Sequence, residues 1–358
     1  MNAQFPEIKK NFGFGCMRFP MDAEQVDVAA VTEMVDAFLE AGFNYFDTAR
    51  PYHGGNSESV LKQVLTSRYP REKYLLTNKL SPTCFETEEE ILPFFESQLE
   101  RCGVEYFDFY LFHANSALRH QKYKDTNAYE TVKKLKQAGK VRHIGTSFHD
   151  SAEVLEQILN DVPEIEVVQL QFNYVDYEDP NVQSRACYEV CRKFGKKVLV
   201  MEPVKGGSLV NLPEAAMALL KDSPASYALR YAAGFEDIIM VLSGMSNLEQ
   251  VMENIATMKD FRPLCDAEQQ IISQVRTAYQ AQHKIPCTAC RYCVDGCPAG
   301  IDIPGLFACL NEKRAGKEAD YNAFQVKADA CLECGQCENE CPQHLQIRAL
   351  LKEVHKAF

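Results

Sequence analysis

The sequence predicts an α/β fold: a (β/α)8 TIM barrel followed by a small, mainly helical domain. Three observations lead there. Eight short apolar runs alternate with amphipathic segments over the first 260 residues, polar and ionisable residues gather at the C-terminal ends of those runs, and one cysteine spacing occurs twice near the end of the chain. The expected boundaries are 1–260 for the barrel, 261–284 for a helical connector and 285–358 for the cysteine-rich domain.

Strands are expected at 11–19 (NFGFGCMRF), 44–48 (NYFDT), 74–80 (YLLTNKL), 106–113 (YFDFYLFH), 143–148 (HIGTSF), 167–173 (VVQLQFN), 197–204 (KVLVMEPV) and 238–245 (IIMVLSGM). These runs are short, apolar and often β-branched, as buried strands are. Helical periodicity separates them at 24–41, 56–66, 86–102, 127–138, 151–160, 181–194, 214–233 and 247–258. The first helix meets a stop at Ala41-Gly42, and the second follows a turn at Gly54-Gly55-Asn56. Eight such units can close into a barrel or spread into a doubly wound sheet. The count favours the barrel, and so do Asp47, Lys79, His113, Ser147, Asn173 and Glu202, which fall at strand ends that share one face of a barrel. The GFG near residue 13 lacks the GxGxxG spacing of a dinucleotide-binding Rossmann turn. Helices are expected from Asp266 to about Gln282, from Pro304 to Arg314 and from Gln343 to Ala357.

The two cysteine runs read Cys287-x2-Cys290-x2-Cys293-x3-Cys297-Pro298 and Cys331-x2-Cys334-x2-Cys337-x3-Cys341-Pro342. This is the ligand pattern of two [4Fe-4S] clusters, in which three thiolates come from one tight loop and the fourth from the other run. One cluster is therefore assigned to Cys287, Cys290, Cys293 and Cys341, the other to Cys331, Cys334, Cys337 and Cys297. Structural zinc prefers paired Cys-x2-4-Cys units with a longer spacer, and disulfides need an oxidising compartment. The start MNAQFPEIKKNFGFG carries no apolar signal stretch, so the expected location is the cytoplasm. There the seven other cysteines, Cys16, Cys84, Cys102, Cys187, Cys191, Cys265 and Cys309, persist as thiols, most of them as small buried hydrophobes.

With 358 residues, 46% of them hydrophobic, the chain can bury a large core. No run approaches the ~18 apolar residues of a membrane span. The formal charge of -12, with acidic residues scattered along the chain, argues against nucleic acid as a partner. The basic run KKLKQAGKVR reads as the solvated end of a helix.

Four strand-end residues combine into reduction chemistry. A carbonyl that accepts hydride develops negative charge on oxygen and needs a proton donor. Tyr52 can be that acid. A phenol's ordinary pKa of ~10 is high for the task, and the Lys79 ammonium stabilises the phenolate. Asp47 pairs with Lys79, and His113 donates to the substrate oxygen.

On these residues the stretch 11–258 resembles the aldo/keto reductase family: DTARPY at 47–52, GGNSE at 54–58, NK at 78–79, FH at 112–113 and GKVRHIGTS at 139–147. The resemblance implies an acid–base set of Asp47, Tyr52, Lys79 and His113, with Tyr52 as proton donor. It also implies a nicotinamide cofactor across the barrel mouth. Ser147 and Gln169 stand where the family grips the carboxamide, and Ser243, Gly244, Met245, Asn247, Gln250 and Asn254 stand in the segment that holds the adenosine phosphate. Phe148 replaces a frequent Asn, Met201-Glu202 replaces a frequent stacking aromatic, and Gly244 and Gln250 replace a Lys and an Arg that clamp the 2'-phosphate. The choice between NADPH and NADH stays open. The C-terminal domain resembles the bacterial-type two-cluster ferredoxin, and the whole resembles an iron–sulfur branch of the reductase family.

A nicotinamide delivers two electrons as hydride, whereas a cluster handles one, and a flavin would bridge the difference although no flavin motif is visible. The first reading is an NAD(P)H-linked reductase of a small carbonyl whose clusters exchange electrons with a one-electron carrier protein. The alternative is an electron-transfer or redox-partner protein whose barrel reduces no carbonyl. Clusters that only brace the C-terminal tail are a third reading. Substrate determinants fall on the barrel-mouth loops 114–126 and 174–180.

Overall fold

A computed structural model of the chain describes residues 4–358. Its described residues form two compact units, one made of the chain up to Asp179 with Gln183–Pro203 and Ala225–Leu264, the other of Pro180–Val182, Val204–Pro224 and Cys265–Phe358. The stretch expected as a connector thus falls in the second unit from Cys265 onward, with 261–264 in the first, and the second unit also takes in Val204–Pro224, between the seventh and eighth barrel strands.

The first unit is a closed barrel of eight parallel strands: β1 (Phe12–Gly15), β2 (Tyr45–Asp47), β3 (Leu75–Leu80), β4 (Phe107–Asn115), β5 (Val141–Phe148), β6 (Val167–Gln171), β7 (Lys197–Met201) and β8 (Ile238–Gly244). Closure is by β1, which pairs with β2 through Gly15 opposite Asp47 and with β8 through Gly15 opposite Gly244. Helices α1 (Val28–Glu40), α2 (Ser57–Leu61), α3 (Glu88–Cys102), α4 (Ala128–Gln137), α5 (Ala152–Asp161), α6 (Ser184–Lys193), α7 (Pro224–Ala233) and α8 (Leu248–Lys259) occupy the connections. Their stripes, such as Val31, Met34, Val35 and Phe38 of α1, pack on the outside of the strands. Inside, Tyr45, Leu75, Phe109, Leu111, Val167, Leu199 and Met240 fill the barrel. Phe5 lies with them, its ring 4.8 Å from His143 and 5.7 Å from Phe109.

A short antiparallel pair, Met21–Asp22 with Gln25–Val26, precedes α1, and two further elements depart from the expected order. The loop after β4 contains a helix at Ala117–Asp125, capped by Ser116. Its polar sequence, ALRHQKYKD, hides the period, because only His120 and Tyr123 are buried. The helix expected over 214–233 is a single turn at Glu214–Met217 and then α7, which begins at Pro224. Proline lacks the N–H that an interior position donates and suits a first turn.

Strand packing sets a strict limit at Gly145 in β5. A Cβ there would meet the Leu111 side chain, and would lie 2.6 Å from Val167 Cγ2 and 2.9 Å from the Val167 carbonyl oxygen. Gly145→Ala is expected to destabilise the barrel by about 1–3 kcal/mol through overpacking, measured by chemical denaturation. An unchanged midpoint would show that the sheet opens freely at this point.

In the second unit, α9 (Asp266–Gln280) precedes the first cysteine run. Helices α10 (Ile303–Arg314) and α11 (Ile347–Ala357) each follow a run and pack together through Leu306, Phe307, Leu310, Ile347, Leu351 and Val354. Of the seven cysteines outside the runs, Cys265 is exposed and Cys84 half-buried, and the others are buried. No helix among the described residues is long and apolar enough to cross a membrane.

Candidate active site and cysteine cavities

At the C-terminal ends of the strands, Asp47 closes β2, Lys79 projects from β3 and His113 from β4, while Tyr52 sits in the turn that leads to α2. Lys79 is fully buried and Asp47, Tyr52 and His113 are nearly so. The Lys79 ammonium donates to Asp47 Oδ1 at 2.6 Å, to the Thr48 carbonyl at 2.9 Å and to the Tyr52 hydroxyl oxygen at 3.1 Å. Three donors and three acceptors match, which is what a buried ammonium needs. The His113 ring stands edge-on to Tyr52 with centroids 6.2 Å apart. Its Nδ1 lies 2.7 Å from Ser81 Oγ. Tyr123 donates to both the His113 and Leu80 carbonyls, joining the ends of β4 and β3.

Burial holds the His113 imidazole well below its ordinary pKa, and the positive charges of Lys79 and Arg119 push the same way. The ring is therefore neutral at neutral pH. Cys16, whose amide donates to the Asp47 carbonyl, has its thiol raised well above the usual value by burial and then by the Asp47 charge. It stays a thiol beside the site.

The residues expected to meet a nicotinamide lie on the following strand ends. Ser147 and Gln169 are register partners on β5 and β6. Ser147 Oγ accepts from the Ala114 amide at 2.7 Å, and Gln169 Nε2 donates to Asp47 Oδ2 at 3.1 Å. A hydroxyl on one strand end and, on the next, an amide that meets Asp47 are suitable partners for a carboxamide. Asn254 on α8 donates to Ser243 Oγ at 3.2 Å, and Met245 is buried. At the start of α8 the Gln250 amide donates to Asn247 Oδ1 and the Ser246 amide to Gln250 Oε1. These side chains already satisfy two amides that a phosphate would otherwise use. Asn173 instead caps its own turn, donating to Asp176 and to the Glu202 carbonyl.

Three contributors were not visible as site residues in the sequence. Ser81 fixes the His113 ring, and Arg18 lays its side chain against Gly244, where a Cβ would come within 2.6 Å of its Cγ. Glu58, fully buried on α2, accepts from Arg50, Arg101, Asn78 and Gln98. A helix period read from sequence shows which face is buried but not that a carboxylate on it finds two arginines.

The cysteines surround two cavities in the second unit. Cys287, Cys290, Cys293 and Cys341 line one, together with Phe307 and Gln343. Cys331, Cys334, Cys337 and Cys297 line the other, with Leu332 and Arg348. Burial raises the Cys293 thiol to about 12 and the Cys337 thiol to about 11, and neighbouring thiols add to both. Bound iron would remove those protons outright. Among the described residues no three His, Cys, Asp or Glu side chains converge as a single metal ion requires. Four soft donors spread round a cavity instead suit a [4Fe-4S] cubane, which takes one thiolate at each of four corners.

Known proteins agree with both units. The profile of the Aldo/keto reductase family matches residues 11–217, and that of a 4Fe-4S dicluster domain matches residues 286–345. The chain is 26% identical over 306 residues to the NADH-specific methylglyoxal reductase of Escherichia coli (strain K12), covering 69% of this chain and 88% of that protein. It is 28% identical over 274 residues to the L-galactose dehydrogenase of Arabidopsis thaliana, covering 69% of this chain and 82% of that protein. Among solved structures, an aldo-keto reductase from Bacillus halodurans in its holo form superposes with a TM-score of 0.61 at 23% identity, covering 74% of this chain and 91% of that one. An aldo-keto reductase from Klebsiella pneumoniae in complex with NADPH gives 0.60 at 21% identity, covering 75% and 90%. With its eight-stranded parallel barrel and a family match over more than half its length, the chain belongs to the aldo/keto reductase family and is an NAD(P)H-dependent oxidoreductase whose C-terminal residues 286–345 match a 4Fe-4S dicluster domain.

Proposed function

We propose that the protein reduces a small aldehyde or ketone, with Tyr52 as proton donor, Lys79 and Asp47 holding the phenol ready and His113 orienting the carbonyl. The observation that carries this reading is the Lys79 ammonium, bound at once to Asp47 Oδ1 and to the Tyr52 oxygen. A phenol oxygen that accepts from an ammonium releases its own proton more readily, and Asp47 keeps that ammonium in place. NADH or NADPH, when bound, supplies the hydride. Ser147 and Gln169 would hold its carboxamide, and Ser243, Gly244, Met245, Asn247, Gln250 and Asn254 its adenosine phosphate end. In the tautomer whose Nδ1 accepts from the Ser81 hydroxyl, the His113 Nε2–H would donate a hydrogen bond to the carbonyl oxygen and orient it.

In the second unit we assign Cys287, Cys290, Cys293 and Cys341 to one [4Fe-4S] cluster and Cys331, Cys334, Cys337 and Cys297 to the other. Bound clusters would exchange single electrons with a carrier protein.

The test is anaerobic mixing of the cluster-loaded protein with NADH or NADPH and methylglyoxal or another short aldehyde or ketone. Nicotinamide fluorescence and visible cluster absorbance are followed together. Carbonyl-dependent oxidation of the nucleotide is expected. Nucleotide binding with no turnover of any carbonyl would sink the reading, and bleaching of the clusters by nucleotide alone would favour an electron-transfer role.

Neutral His113 has a further consequence. Its depressed pKa means the ring gains no proton as pH falls from about 8 to about 6, a window in which an ordinary histidine charges. The His113 ring nitrogens are expected to keep constant 15N shifts over that range. A titration centred near pH ~6.5 would contradict the buried, neutral ring.

A further inference from the structure

The turn after β7 adopts a conformation that needs an explanation. Lys205, Gly206 and Gly207 all have positive φ, at 49°, 61° and 93°. For a lysine this is the left-handed region that residues with a Cβ seldom enter. Contact makes glycine obligatory at the next position, since a Cβ on Gly206 would lie 2.6 Å from the Thr288 carbonyl oxygen and 2.8 Å from its Cα. Thr288 is buried and follows Cys287 directly. Backbone strain of this kind persists where the surroundings over-determine it, and it often accompanies a functional group.

What this turn delivers is the side chain of Lys205. It is only 3% exposed, and its ammonium lies 3.2 Å from Gln343 Oε1. Gln343 in turn lines the cavity of Cys287, Cys290, Cys293 and Cys341. Lys205, Thr288 and Gln343 all belong to the second unit. Each cavity is also lined by an exposed arginine: Arg291 at this one, 57% exposed and paired with Asp302 at 3.0 Å, and Arg348 at the other, 44% exposed and paired with Glu338 at 2.7 Å, so the buried Lys205 ammonium is what sets the two sites apart. Water screens the exposed charges, whereas a buried ammonium acts through a low-dielectric medium.

We propose that Lys205 tunes the cluster held by Cys287, Cys290, Cys293 and Cys341, making it the higher-potential cluster of the two, on which an electron entering the domain settles. The inference rests on the two-cluster reading above. One-electron reduction makes a cluster and its four thiolates one charge more negative, with no bond formed or broken and no proton moved. The electron comes from an external one-electron reductant. A buried positive charge nearby stabilises that added charge, as do hydrogen bonds to the ligating sulfur. Backbone groups of Leu345, Gln343 and His344 are placed to supply such bonds to Cys341.

The test is anaerobic potentiometric titration of the full-length, cluster-loaded protein with dithionite, followed by electron paramagnetic resonance and visible absorbance. Two separate midpoints are expected. Lys205→Met should lower the higher one, so that its reduction equilibrium falls about tenfold, or about 59 mV for one electron, and leave the lower within about twofold. Lys205→Arg should retain both midpoints. If Lys205→Met loads no clusters, Lys205→Gln removes the charge with a polar side chain and should give the same shift. Unchanged midpoints in the neutral variants, a fall in the lower midpoint alone, or an equal fall in both would overturn the proposal. Iron and sulfide analysis of the wild-type protein separates the two claims: absence of clusters sinks the two-cluster reading, whereas intact clusters with no Lys205 effect sink only this inference.

Discussion

Tyr52→Phe is expected to lower carbonyl reduction by roughly 10²- to 10⁴-fold, the usual span for removing a positioned acid, while nucleotide binding and cluster absorbance stay at wild-type levels. The separation follows from the contacts. Phenylalanine keeps the ring and removes only the oxygen, which lies 3.1 Å from the Lys79 ammonium. Lys79 retains Asp47 at 2.6 Å and the Thr48 carbonyl at 2.9 Å, so the buried cation stays paired and the strand ends stay in place. Lys79→Met should give a loss of similar order, and the double variant little more than either alone, because residues that act as one unit lose activity together and not additively. Measuring kcat and nucleotide Kd for the three variants decides it. A Tyr52→Phe protein that reduces the carbonyl at the wild-type rate would remove Tyr52 from the chemistry and leave Lys79 and Asp47 as a pair that closes the barrel mouth.

The barrel was legible because its strands are buried on both faces and read as unbroken apolar runs, while the residues that end them change abruptly to Asp47, Lys79 and His113. The cysteine runs were legible for another reason: three cysteines in one short loop leave their spacing in the sequence, and each trio lines one cavity with a cysteine of the other run. What sequence concealed were groups whose partners are remote. Ser81 and His113 are 32 residues apart, Glu58 and Gln98 are 40, and Lys205 and Gln343 are 138. No period or motif links such positions. The run KVLVMEPV also reads as one strand to 204, yet β7 stops at Met201 because Glu202 turns left-handed at φ 56°. An apolar pattern carries no record of that reversal, and it is the reversal that leads into the turn bearing Lys205.

Glu58→Ala is expected to cost about 3–5 kcal/mol of stability, the range for removing one partner of a buried ion pair. The carboxylate is fully buried, and each oxygen has two donors. Oε2 accepts from Arg50 Nε at 2.6 Å and Arg101 Nε at 2.9 Å, and Oε1 accepts from Asn78 Nδ2 at 3.0 Å and Gln98 Nε2 at 3.1 Å. The arginines are 23% and 36% exposed and can turn to water, and Gln98 Nε2 keeps the Asn78 and Lys79 oxygens at 3.1 Å, so among the buried amides the penalty falls chiefly on Asn78 Nδ2. Those same amides hold Lys79. Asn78 Oδ1 accepts from the Lys79 amide at 2.8 Å, and Gln98 Nε2 donates to the Lys79 carbonyl at 3.1 Å. Activity should therefore fall even where the variant is fully folded, through displacement of the Lys79 backbone and with it the 2.6 Å contact to Asp47. Glu58→Gln separates charge from shape. It fills the same space but puts an amide donor or a neutral oxygen before the two guanidinium groups, so its loss should be smaller, about 1.5–3 kcal/mol. Denaturant midpoints and kcat measured well below them give both quantities. An alanine variant within about 0.5 kcal/mol of wild type, the behaviour of an ordinary surface site, would show that the network is a bystander to both the fold and Lys79.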